Sequence, residues 1–106
     1  MTDKILVLAT AGSEEEAKEL ARELVKRRLA ACVNIAPRVS SIYLWRGKIE
    51  ESEEYLLIIK TRAESFARVR QCIEELHSYD LPECLAIPIT DGSAAYLNWI
   101  AESLRP

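Results

Sequence analysis

Residues 41–61 read SIYLWRGKIEESEEYLLIIKT, two apolar segments around a short polar tip, the pattern of a β-hairpin with unusually long arms. A strand of roughly thirteen residues from Lys48 to Lys60 would extend about 43 Å at ~3.3 Å per residue. A compact domain of this chain's length is only about 34 Å across. The hairpin must therefore project from the domain, or bulge and curl over it. Ile42, Tyr43, Leu44 and Trp45 point alternately to both faces of such an arm, so a projecting arm exposes large side chains on each. Burial against other copies of the chain is the simpler solution.

Working outward from the hairpin, KILVLAT (residues 4–10) reads as a strand running into TAGSEEE, a helix start. Ser13 and Glu16 have the spacing of a capping box, and three glutamates in the first turn suit the positive helix end. Ala17, Leu20, Ala21, Leu24 and Val25 then form one apolar stripe. CVNI (residues 32–35) is β-branched and apolar, with Pro37 interrupting it before the hairpin. After the hairpin, Phe66, Val69, Ile73 and Leu76 mark a second helix ending near His77. LPECLAIPIT (residues 81–90) reads as a strand placed at a sheet edge by Pro88, and DGS introduces a last helix with Leu97, Ile100, Ala101 and Leu104 on one face.

The order β, α, β, β, α, β with an added C-terminal helix predicts an α+β fold of the split βαβ, ferredoxin-like kind. It forms one domain over residues 1–106, with both main helices on one face of a four-stranded antiparallel sheet. A sheet with one wet face alternates apolar and polar residues. ILVLA, YLLII and CLAIPI do not alternate, so the second face also needs a cover.

Composition narrows the partners. With 17 acidic against 14 basic residues the net charge is -3, which gives no drive toward a phosphate backbone and excludes nucleic acid as a default partner. The apolar runs are too short to span a bilayer and the N-terminus lacks signal-peptide character, so a cytoplasmic protein without membrane contact is expected. Cys32, Cys72 and Cys84 are odd in number and widely spaced, and read as packed thiols rather than disulfides or a zinc site.

With these residues placed, the sequence closely resembles the CutA family of divalent-cation tolerance proteins. The resemblance is carried by RLAACVNI at 28–35, SIYLWRGKIE at 41–50, LLIIKT at 56–61, Tyr79 with Pro82-Glu83 after His77, and Tyr96-Leu97 with Trp99. It implies a ferredoxin-like subunit in a tight homotrimer with interlocking hairpins. It also implies a role in metal-ion tolerance, with copper or another divalent cation as ligand, and no catalytic activity or organic cofactor. A similarity of shape to trimeric PII signalling proteins implies an alternative, a regulatory module that binds a small anion or a protein partner at subunit clefts.

Metal ligation in that family is associated with a cysteine ending the first strand and with a His and a Glu in an HxYxxPE segment. The latter two correspond to His77 and Glu83, but Ala9 stands in the cysteine's place and Ser78 where a proline is often found. The thiolate that favours soft copper is therefore missing, and a weak site shared at the trimer is expected. His77, near a helix end, has a structural reading too, as a partner for terminal carbonyls. Lys48 and Lys60 are candidate linings of an intersubunit pocket for an anion. Tyr43, Leu44, Trp45 and Tyr55 are the expected interface anchors, and EESEE (residues 50–54) is expected to be a solvated edge.

Rival chemistries lack their residues. The third strand has no aromatic RNA-binding pattern, and Thr10-Ala11-Gly12-Ser13 occupies the position where copper chaperones of similar topology carry Cys-x-x-Cys. Three glutamates oppose an anion at the first helix start. One histidine without a nucleophile–base pair argues against an enzyme.

Overall fold

The computed structural model describes residues 2–106. Its elements are β1 (Lys4–Ala11), α1 (Glu14–Lys26), β2 (Cys32–Trp45), β3 (Lys48–Arg62), a 3-10 turn (Ala63–Ser65), α2 (Phe66–Leu76), β4 (Leu85–Pro88) and α3 (Ala94–Ser103). The four strands lie in the order β2-β3-β1-β4, all neighbours antiparallel, as the split βαβ arrangement requires. β4, with Pro88, is an edge strand. It is shorter than the expected 81–90, because residues 81–84 form the connection from α2 instead of pairing with β1. Among the described residues no helix is long and apolar enough to cross a membrane.

The core is built on one face of the sheet. Val7 and Ala9 of β1 and Leu57 and Ile59 of β3 meet Leu20 and Leu24 of α1 and Val69 and Ile73 of α2, all fully buried or nearly so. Each large aliphatic side chain placed there contributes about 1.5–3 kcal/mol. The opposite face carries Leu6, Leu8, Leu56, Ile58, Leu85 and Ile87, brought side by side by the strand register. α3 covers part of it, with Lys60 reaching Tyr96, while Leu85 and Ile87 stay exposed. Both faces of the sheet are apolar, which explains the unbroken hydrophobic runs of the sequence.

The ends of α1 show local control. Ser13 Oγ accepts from the Glu16 amide at 3.1 Å, as the capping pattern predicts. The reciprocal half of the box is absent, because the Glu16 carboxylate accepts from the Ser78 amide instead. At the other end Arg28 takes φ 60°, a left-handed position usually given to glycine, and the Leu29 amide closes onto Leu24 O.

Pro37 does not divide the second strand. β2 runs on through a bulge in which Pro37 and Arg38 (φ 58°) together oppose Tyr55, between the pairs Ala36–Leu56 and Val39–Glu54. A residue without an amide proton fits there because β2 is an edge strand. β1 pairs with β3 only from Tyr55 onward, so beyond the bulge β2 and β3 continue as a two-stranded arm. The molecule measures 45 × 25 × 23 Å, and the arm projects rather than curling over its own sheet. Arg46 (φ 51°) and Gly47 (φ 81°) close its tip as a two-residue turn with both residues left-handed.

Candidate functional site

Polar groups gather where β1 ends and the arm begins. α2 terminates at His77, whose extended backbone (φ −78°, ψ 143°) turns the chain across the end of β1. The imidazole Nε2 lies 2.6 Å from the Thr10 carbonyl, and Nδ1 lies 3.0 Å from the Tyr79 amide nitrogen. A carbonyl only accepts and an amide N–H only donates. The ring is therefore neutral here, with its proton on Nε2 and its Nδ1 lone pair taken by Tyr79. The structural role expected for His77 is present with a different partner: it ties α2 to β1 rather than to carbonyls of its own helix.

Tyr79 continues the connection. Its ring packs against His77 with centroids 4.5 Å apart, and its hydroxyl donates to Glu54 at 2.9 Å. Gly12 makes room for it, since a Cβ there would stand 3.0 Å from the Tyr79 oxygen. Burial, followed by the bond to Glu54 and that residue's charge, pushes the Tyr79 pKa up to about 12. Glu54 is 7% exposed. The solvated reading of EESEE is thus corrected at its last residue, where the arm joins the sheet; Glu50, Glu51 and Glu53 are exposed.

Around this pair stand two more carboxylates. Burial disfavours ionisation of Glu16, but hydrogen bonds from Ser78 and from the Gly12 backbone outweigh it and leave its pKa lowered. The Ser78 amide donates 2.9 Å to Glu16, a bond that a proline at this position could not make. Glu83 is an exposed residue whose carboxyl pKa is raised by desolvation and then by the charge of Glu54.

Residues present at this end fit a resident metal poorly. Both His77 nitrogens are engaged, and Ala9 is fully buried in the helix-side core. Among the described residues no group of three or more His, Cys, Asp and Glu side chains could hold a metal ion. Glu83 is exposed and offers one carboxylate.

The other candidates lie elsewhere. Lys48 and Lys60 sit towards opposite ends of β3, about 40 Å apart by strand rise, so one chain cannot bring them into one pocket. Lys60 Nζ lies 3.2 Å from the Tyr96 hydroxyl and over that ring, with Trp99 stacked at a tilt 5.4 Å further on. Tyr43, Leu44 and Trp45 are exposed on the arm, whereas Tyr55 packs against the core of its own chain. Ile42 and Ile49 are also widely exposed there, and Ile49 was not singled out by sequence.

Comparison with known proteins matches this geometry to a family. The profile described as "CutA1 divalent ion tolerance protein" matches residues 5–103. The "Divalent-cation tolerance protein CutA" of Thermus thermophilus is 45% identical over 98 residues, covering 92% of this chain and 95% of that protein. "Protein CutA, chloroplastic" of Arabidopsis thaliana is 45% identical over 101 residues, covering 95% of this chain and 56% of its own length. A solved structure described as the periplasmic divalent cation tolerance protein CutA of Archaeoglobus fulgidus superimposes with a TM-score of 0.94 at 44% identity, over 96% of this chain and 99% of that one.

Proposed function

The chain belongs to the CutA1 divalent ion tolerance protein family, and from that premise we propose that it works as a homotrimer that holds copper or another divalent cation weakly. It binds rather than catalyses, and needs no organic cofactor. The observation that carries the trimer is the arm, which leaves its own domain with large apolar side chains on both faces. Weak metal contact follows from the engagement of His77. A cation can use that ring only by displacing the Tyr79 amide or the Thr10 carbonyl, so the open carboxylate of Glu83 with donors from another copy is the better-supported contact. The proposed setting is the cytoplasm, a reading that three free thiols support.

Sedimentation velocity at micromolar concentration should give the mass of three chains; a monomer would refute the assembly. Calorimetric titration with copper(II) chloride alone should give weak binding that Glu83→Gln reduces and His77→Ala leaves unchanged. A tight site abolished by His77→Ala would overturn the metal reading.

One observation favours a second reading, the binding of a small anion or a protein partner at clefts between copies. Lys60 is held beside Tyr96 and Trp99 on the sheet face away from α1 and α2, where a cation flanked by aromatic rings can receive an anionic group. Native mass spectrometry of freshly purified protein separates the two, by retained copper or by retained organic mass.

A further inference from the structure

The loop between β4 and α3 carries a reactive dipeptide that the other turns lack. The chain has three aspartates, all exposed: Asp3 precedes Lys4, Asp80 precedes Leu81 and Asp91 precedes Gly92. Its asparagines, Asn34 and Asn98, precede the bulky Ile35 and Trp99. An aspartate closes on the amide nitrogen that follows it only when the intervening peptide can rotate out of its usual range, and a side chain on the next residue resists that rotation. Glycine offers no such resistance.

The structure adds two conditions to this sequence signal. Residues 89–93 lie in neither helix nor strand, and Thr90 through Ser93 are exposed, so water reaches the loop. The Gly92 N–H donates to Asp91 Oδ1 at 2.8 Å, which holds the carboxyl carbon no more than about 4 Å from that nitrogen. Reacting atoms poised for attack stand ~3–3.5 Å apart, so a small rotation of the side chain suffices. The Asp3 carboxylate is instead taken by the Lys4 ammonium.

We propose that Asp91–Gly92 is a site of spontaneous backbone isomerisation, through a cyclic imide to isoaspartate, and that the change loosens the first turn of α3. The Gly92 nitrogen bonds to Asp91 Cγ, the Cγ–OH bond of the acid form breaks, and the hydroxyl leaves with the amide proton as water. Water then opens the imide. Cleavage of the new N–Cγ bond restores aspartate, whereas cleavage at the original Asp91 carbonyl leaves the main chain running through Cβ and Cγ, with a free carboxylate on Cα. This second route conserves mass over the two steps and lengthens the backbone by one carbon, about 1.5 Å. The added carbon enters beside a tight junction. Ser93 caps α3 by accepting from the Tyr96 amide at 3.4 Å, and its carbonyl accepts from the Leu97 amide at 3.0 Å. Gly92 lies so near Leu97 that a Cβ there would stand 3.2 Å from the leucine side chain.

The full chain, aged for several weeks in warm buffer, is compared with fresh protein by peptide mapping with electron-transfer fragmentation, which distinguishes isoaspartate from aspartate. Isoaspartate should accumulate at Asp91 more than about tenfold above Asp3 or Asp80, a barrier difference of about 1.4 kcal/mol. Amide hydrogen exchange at Tyr96 and Leu97 should be faster in the aged chain than in the fresh one. Asp91→Glu, whose side chain would have to close a larger ring, should show neither change. Isoaspartate spread evenly over the three aspartates, or absent from Asp91, overturns the site. Accumulation at Asp91 with unaltered exchange at Tyr96 and Leu97, or equally faster exchange in aged Asp91→Glu, overturns the effect on α3.

Discussion

Tyr79 bonds to or packs against three segments through one side chain and one amide: its ring lies against His77 and Gly12, its N–H on the His77 imidazole, its hydroxyl on Glu54. Tyr79→Phe keeps the ring and leaves a buried carboxylate without its donor, which should cost about 1–3 kcal/mol. At roughly 4–8 °C per kcal/mol, the melting temperature should fall measurably by calorimetry; an unchanged value would mean that the bond contributes nothing. The raised pKa sets the sign of the pH dependence. The folded state holds the Tyr79 proton to about 12 while an unfolded tyrosine releases it near its ordinary value of 10.0. Stability from this group is thus complete below the unfolded value and lost as pH climbs through the folded one. Tyr79→Phe should remove that alkaline loss. The sequence marked His77, Tyr79 and Glu83 together through the resemblance of this segment to the family's HxYxxPE pattern. It did not mark Glu54, because one glutamate in EESEE is distinguished from its neighbours only by where β1 happens to stop.

At the scale of elements, the helices and strands followed from periodicity, since each helix presents one apolar stripe and each central strand is buried on its core face. The bulge was harder to read. A proline in an apolar run signals either a break or an irregularity on an edge strand, and only the neighbouring strand tells which. The arm's tip makes the same point about special backbone positions. Arg46 occupies a left-handed position where asparagine is favoured, and it lies over Trp45 at 5.5 Å. Arg46→Asn should stabilise the chain by a few tenths to about 1 kcal/mol, read as a higher urea midpoint at constant slope. Gly47→Ala should shift it the other way, because alanine resists φ 81°. If Arg46→Asn lowers the midpoint, the contact of Arg46 with Trp45 outweighs backbone strain.

For the whole molecule, elongation is the property that separates this chain from an ordinary domain of its size. If the arm is held by other copies, unfolding is tied to dissociation, and the melting temperature should rise by several degrees per tenfold increase in chain concentration. Calorimetry at two concentrations checks this, and identical melts would argue for an arm that stands free. The strand order carries a different consequence, one of timing. β1, which precedes the other strands of the sheet in sequence, lies between β3 and β4, and Ile5 waits for Pro88 to complete its pairing. Nascent chains can form α1 and the local hairpin early, but the sheet cannot close until residues 85–88 have emerged. Until then β1 has one edge unpaired, and β4, only four residues long, is the piece that seals it.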